Sequence, residues 1–106
     1  METDFWITCL QKNDAIRSVL NLKHIRSYLI GSSIQRKDVN DIDIALIYTP
    51  LAYSHSALIE LRRILSKTIL DELGIVADIL LLSCEEAEEV DFFSKPAVEI
   101  KYTLSQ

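Results

Sequence analysis

Two strand-like segments joined by one long amphipathic helix constrain this chain more than any other feature. Residues 41–48 alternate, with Ile42, Ile44, Leu46 and Tyr48 on one side and Asp41, Asp43, Ala45 and Ile47 on the other, the period-2 pattern of a strand. Residues 75–82 are apolar except for Asp78, which predicts a buried strand. Between them Leu58, Leu61, Leu65, Ile69 and Leu73 recur at helical steps, and Gly74 stands where a glycine cap belongs. Ser54 or Ser56 begins this helix, and Thr49-Pro50 ends the strand before it. A helix of that length suits a crossover, so the two strands should lie side by side and parallel.

The remaining segments fit around this unit. Phe5, Trp6, Cys9 and Leu10, then Ile16, Val19 and Leu20, fall at helical spacing. They predict two short helices meeting near Asn13, with Asn13 or Asp14 as cap. Residues 24–30 read as a strand, and residues 32–40 as a polar connection with room for one helical turn. Ser83 and Glu86 have capping-box spacing, predicting an acidic helix to about Phe93. Pro96 interrupts, and residues 98–103 alternate as a last strand. The expectation is a single α/β (α+β) domain over residues 1–106, a mixed sheet of three to four strands with helices packed against it.

Bulk properties narrow the function classes. A formal charge of −5 opposes a protein that coats nucleic acid, which needs a basic footprint. No apolar run approaches the length of a membrane span. Cys9 and Cys84 fit no metal or redox spacing, and the acidic first residues lack a signal-peptide pattern. A soluble cytoplasmic protein with reduced thiols is expected.

The chemistry-bearing residues lie between residues 30 and 78. Asp41 and Asp43, at i and i+2, project from one face of a strand. Two adjacent like charges repel unless a cation lies between them, and Mg²⁺ favours carboxylate oxygens completed by water and phosphate. Asp78, set among apolar neighbours, would be costly to bury without a partner. Gly31 permits close backbone approach, and Ser32 and Ser33 add hydroxyl and N–H donors for a phosphate. Arg36 and Lys37 are candidate counter-charges to phosphate. The acids from Glu85 to Glu89 read instead as a solvated helix face. His24 and His55 have no companions at ligand spacing, and Tyr48, Tyr53 and Tyr102 read as packing residues.

Ile30-Gly31-Ser32, Asp41-Ile42-Asp43 and a later Asp78 resemble the signature of the DNA polymerase β nucleotidyltransferase superfamily. The similarity covers roughly residues 25–82 and is greatest to the minimal bacterial members. Eight residues separate Ser32 from Asp41, at or just below the short end of the family's spacing, which implies a tight phosphate loop. The resemblance implies transfer of a nucleoside monophosphate, AMP from ATP foremost, to a hydroxyl. It implies one or two Mg²⁺ held by Asp41, Asp43 and Asp78, and phosphates contacted by Gly31, Ser32 and Ser33. Asp78 would help to deprotonate the acceptor. The acceptor implied is a partner protein such as a helical HEPN-type toxin, modified on a tyrosine by its antitoxin. A non-catalytic antitoxin or immunity protein that acts by stoichiometric contact is the alternative, and its acidic surface would suit a basic partner.

Overall fold

The computed structural model describes residues 4–102. Met1 to Thr3, and Thr103 of the expected last strand, lie outside the described residues. Helices α1 (Phe5–Lys12) and α2 (Asp14–Leu20) precede strand β1 (Ile25–Ile30), and a 3₁₀ turn over Gly31–Ile34 leads through a polar loop to β2 (Asp41–Tyr48). Helix α3 (His55–Leu73) crosses to β3 (Val76–Ser83), followed by α4 (Cys84–Glu89), a 3₁₀ turn at Phe92–Ser94 and β4 (Ala97–Glu99). The sheet order is β3-β2-β1-β4. β2 and β3 are parallel, whereas β1 is antiparallel to both β2 and β4. A mixed four-strand sheet with helices packed on it is the α/β architecture expected from the sequence.

Local signals set the helix ends. The Asn13 side chain accepts from the Ile16 N–H at 3.0 Å, starting α2. The Ser54 hydroxyl accepts from the Ala57 N–H at 3.1 Å, and Gly74 ends α3 in the left-handed conformation with its N–H on the Leu70 carbonyl. At α4 the reciprocal box forms: Glu86 N–H donates to the Ser83 hydroxyl and Ser83 N–H to the Glu86 carboxylate. The acidic helix is shorter than expected, because Asp91 adopts a left-handed φ of 54° two residues past its end.

Packing assigns different roles to the two sheet faces. Ile42, Ile44 and Leu46 are fully buried with Leu65 and Ile69 of α3 and Leu10 and Ile16 of α1 and α2. The opposite face carries a smaller cluster of Tyr28, Ala45, Ile47, Ala87 and Phe92. That smaller cluster leaves part of this face uncovered.

Residues 75–82 were expected to form a strand buried on both sides, with Asp78 inside it. Instead β3 is an edge strand covered by α3 on one face only, through Ala77, Ile79 and Leu81. On its other face Val76 (53%), Asp78 and Leu80 (45%) are exposed. An apolar run cannot by itself distinguish a central strand from an edge strand with one poorly covered face.

Tertiary ties hold Tyr102 and the loop around Tyr53 to the rest of the fold. The Tyr102 hydroxyl donates to the Leu10 carbonyl at 2.9 Å, and that of Tyr53 to the Lys23 carbonyl. Both tyrosines therefore serve packing, as does Tyr48 at the edge of the main core. Leu65→Ala, at a fully buried site shared by α3 and the sheet, is expected to cost about 3 kcal/mol. Urea denaturation of the variant against wild type measures it, and a loss below about 1 kcal/mol would contradict this account of the core.

Candidate metal and phosphate site

Register brings the three aspartates together. Asp43 pairs directly with Asp78 across the parallel β2–β3 ladder, and Asp41 precedes Asp43 by two residues on the same face. One carboxylate oxygen from each of the three lies within 4.8 Å of the others. Asp41 and Asp78 are exposed and Asp43 is half-buried. Asp78 is thus part of the cluster predicted for it, although burial does not constrain it.

Among the described residues, no lysine, arginine or histidine forms an ion pair with any of the three. Two like charges at this separation repel by about 1 kcal/mol in water-like surroundings, and by more where the dielectric is lower. The half-buried member registers the effect. Burial first, then the charges of Asp41 and Asp78, hold the Asp43 carboxyl above its usual range.

Gly31 closes the other side of the cluster. It has a φ of +77°, and a Cβ built there would lie 2.8 Å from Asp43 Oδ2. Both the backbone conformation and the space therefore require glycine. Ile30, the residue before it, pairs with Asp43 in the β1–β2 ladder, so the glycine turn starts beside the acids.

The other sequence candidates separate into those at the site and those turned away. Ser32 and Arg36 line a polar cavity of about 470 Å³ with Asp38, Val39, Asn40 and Asp41. Ser33 is buried, and its hydroxyl donates to the Ile30 carbonyl at 3.3 Å, so it supports the turn from within. Lys37 points toward α1: its ammonium lies 4.6 Å from the Phe5 ring centroid, and its carbonyl accepts from Trp6 Nε1 at 3.0 Å. The loop is therefore anchored to α1, and one of its two cations borders the polar cavity.

Sequence reasoning missed a second cavity on the same sheet face. It is apolar, about 630 Å³, and lined by Ile30, Gly31, Leu80, Leu82, Phe92 and Pro96 among others. The signal was present in the sequence, since Val76, Leu80 and Leu82 share the face of Asp78 by period 2. Among the described residues no helix is long and apolar enough to cross a membrane.

No protein-family model, curated protein or solved structure matches this chain. The functional reading therefore depends on the site's own chemistry.

Two measurements probe this geometry. The fold favours protonated Asp43, so the stability from its raised pKa is full below the unfolded carboxylate pKa and is lost as pH rises through the folded value. Asp43→Asn is thus expected to be more stable than wild type at pH 7 without divalent cations, the gain vanishing near pH 3; a pH-independent difference in denaturation midpoint would contradict it. Gly31→Ala is expected to cost about 1–3 kcal/mol, from strained backbone and the clash with Asp43. Adding Asp43→Ala should recover the clash and leave about 1 kcal/mol of backbone strain.

Proposed function

We propose that this protein is a minimal nucleotidyltransferase that moves a nucleoside monophosphate, AMP from ATP first among candidates, onto a hydroxyl acceptor. The observation that carries this reading is the convergence of three carboxylates without ion-pair partners against a positive-φ glycine turn. The donor set fits Mg²⁺, because it consists of hard carboxylate oxygens, and the exposure of two of them leaves room for water and phosphate ligands. Asp41, Asp43 and Asp78 would hold the ion or ions. Bound Mg²⁺ supplies charge stabilisation to the attacking and leaving oxygens of an in-line displacement.

The chain's own groups divide the remaining work. Gly31 lets the backbone approach Asp43 without a side chain intervening. Ser32 would offer its hydroxyl, and the start of its 3₁₀ turn N–H groups, to the β- and γ-phosphates. Arg36, on the wall of the polar cavity, neutralises part of their charge. Asp78, the exposed acid on the edge strand, accepts the proton from the acceptor hydroxyl. The acceptor is proposed to arrive with a partner molecule.

Calorimetric titration tests the reading. Wild type is expected to bind ATP in the presence of Mg²⁺ and not in EDTA. Asp41→Asn, Asp43→Asn and Asp78→Asn should abolish the metal-dependent part, and Arg36→Ala should weaken binding about tenfold, the loss of one charged phosphate contact. Absence of binding to any nucleoside triphosphate at millimolar concentration, with Mg²⁺ or Mn²⁺, would overturn it.

A further inference from the structure

We infer that the open edge of β3 is a self-pairing surface, on which two copies of this chain join antiparallel into one continuous sheet. The inference stands apart from the nucleotidyl-transfer reading, and its test needs no nucleotide. Three observations support it: free backbone groups at the centre of the edge, exposed apolar side chains on both its flanks, and a charge that selects one register.

β3 is the outermost strand of the sheet beside β2. Side chains occupy its outer backbone groups toward the two ends. The Ala77 carbonyl accepts from the Ser66 hydroxyl at 3.4 Å, and the Ser83 N–H donates to the Glu86 carboxylate at 2.8 Å. Alternate residues of a strand turn their N–H and C=O groups to the same side, so those of Ile79 and Leu81 also face outward. Antiparallel pairing about a dyad through Leu80 sets Ile79 of each copy opposite Leu81 of the other. Each of these pairs then exchanges both of its N–H···O bonds.

Both flanks of the edge carry exposed carbon. Ile59, Ser66 and Leu70 recur at i, i+7 and i+11 and share one stripe of α3. Ser66 reaches Ala77, which lays that stripe along the edge. Ile59 and Leu70 are exposed on it, and Val76 and Leu80 are exposed on the other face. Lysines, prolines and bulges commonly keep sheet edges apart; residues 76–83 contain no lysine or proline, and their ladder to β2 is unbroken. β3 runs about 26 Å with α3 beside it, so a strip about 20–25 Å deep buries on the order of 600 Å² per copy. The total, about 1,200 Å², meets the lower bound of a specific interface.

Asp78 decides the register. Opposite Asp78 of the second copy it would meet a like charge. The dyad through Leu80 instead sets it opposite Leu82, with the two aspartates about 13 Å apart along the strands, beyond the Debye length at physiological salt. Leu80 then faces Leu80 of the second copy in a pair without hydrogen bonds, where side chains lie closest. One twofold operation on this sequence thus satisfies the free backbone groups, the apolar flanks and the charge together, which is why the occupant is a second copy. Pairing in the plane of the sheet keeps Asp41 and Asp43 open and brings Leu82 of the second copy beside Asp78.

Sedimentation equilibrium of the full chain up to about 200 µM is expected to show a dimer with a Kd on the order of 10 µM, as suits an interface of the smallest specific size. Leu80→Lys and Leu80→Glu each set like charges face to face across the dyad and should weaken the dimer at least about 100-fold. Their far-ultraviolet circular dichroism should match wild type, because Leu80 is exposed in the single chain. An equimolar mixture of the two variants should recover the dimer, since opposite charges then meet at the same position. Val98→Lys on the β4 edge and Phe93→Ser on the open face should leave the Kd within about twofold. A monomer throughout, which would assign the edge to an extended segment of another protein, overturns the inference. So does a dimer that ignores both Leu80 variants, a mixture that fails to recover it, or a dimer broken by Val98→Lys or Phe93→Ser.

Discussion

The parallel pairing of β2 with β3 is the constraint on which the rest of the site depends. Its register sets Asp43 opposite Asp78. A slip of one residue would send Asp78 to the α3 face and bring Ala77 or Ile79 to the acids. Nothing in the aspartates themselves holds that register, because their mutual repulsion opposes it. It is held on the far side of the sheet, where Ile42, Ile44 and Leu46 interlock with Leu65 and Ile69 under α3. The cost of gathering like charges on one face is met by hydrophobic burial on the other.

The fold was legible where a local rule and the global packing agree. Asn13, Ser54, Gly74 and Ser83 each sit where their short-range chemistry demands a helix boundary, and the structure forms all four. The alternation of residues 41–48 gave the correct strand and faces, since β2 is central and covered unevenly. Residues 75–82 were legible as a strand, which the structure forms over Val76–Ser83, but not as an edge. Whether an apolar strand has neighbours on both sides depends on where β1 and β4 add to the sheet, and that information is not in the strand. Asp78 was thus singled out for a burial it does not have, while the strand beside it was correctly anticipated.

The phosphate loop shows a different limit. Spacing alone put Gly31, Ser32, Ser33, Arg36 and Lys37 in one polar segment. A 3₁₀ turn rotates successive residues by about a third of a circle, so adjacent side chains cannot all face one ligand. Ser32 and Arg36 border the polar cavity, whereas Ser33 turns inward and Lys37 packs on Phe5. Trp6 then ties the Lys37 carbonyl to α1. A loop only eight residues long reaches Asp41 because it is pinned at its start by Gly31 and near its middle by α1.

The acidic cluster lies on one face of the sheet, and the packing of the two faces differs. On the α1–α3 face Ile42, Ile44, Leu46, Leu65 and Ile69 are fully buried, and a ligand among them would have to displace close-packed core. The opposite face has one short helix and one 3₁₀ turn for cover, which leaves the three acids open there and an apolar cavity between Ile30 of β1 and Leu80 and Leu82 of β3. Incomplete cover makes Leu80, Val90 and Phe93 exposed apolar residues, a liability in a chain without a ligand or partner. The unpaired edge of β3 adds to it. Asp78 interrupts that edge with a charge, so one residue both discourages unwanted strand pairing and completes the acidic cluster.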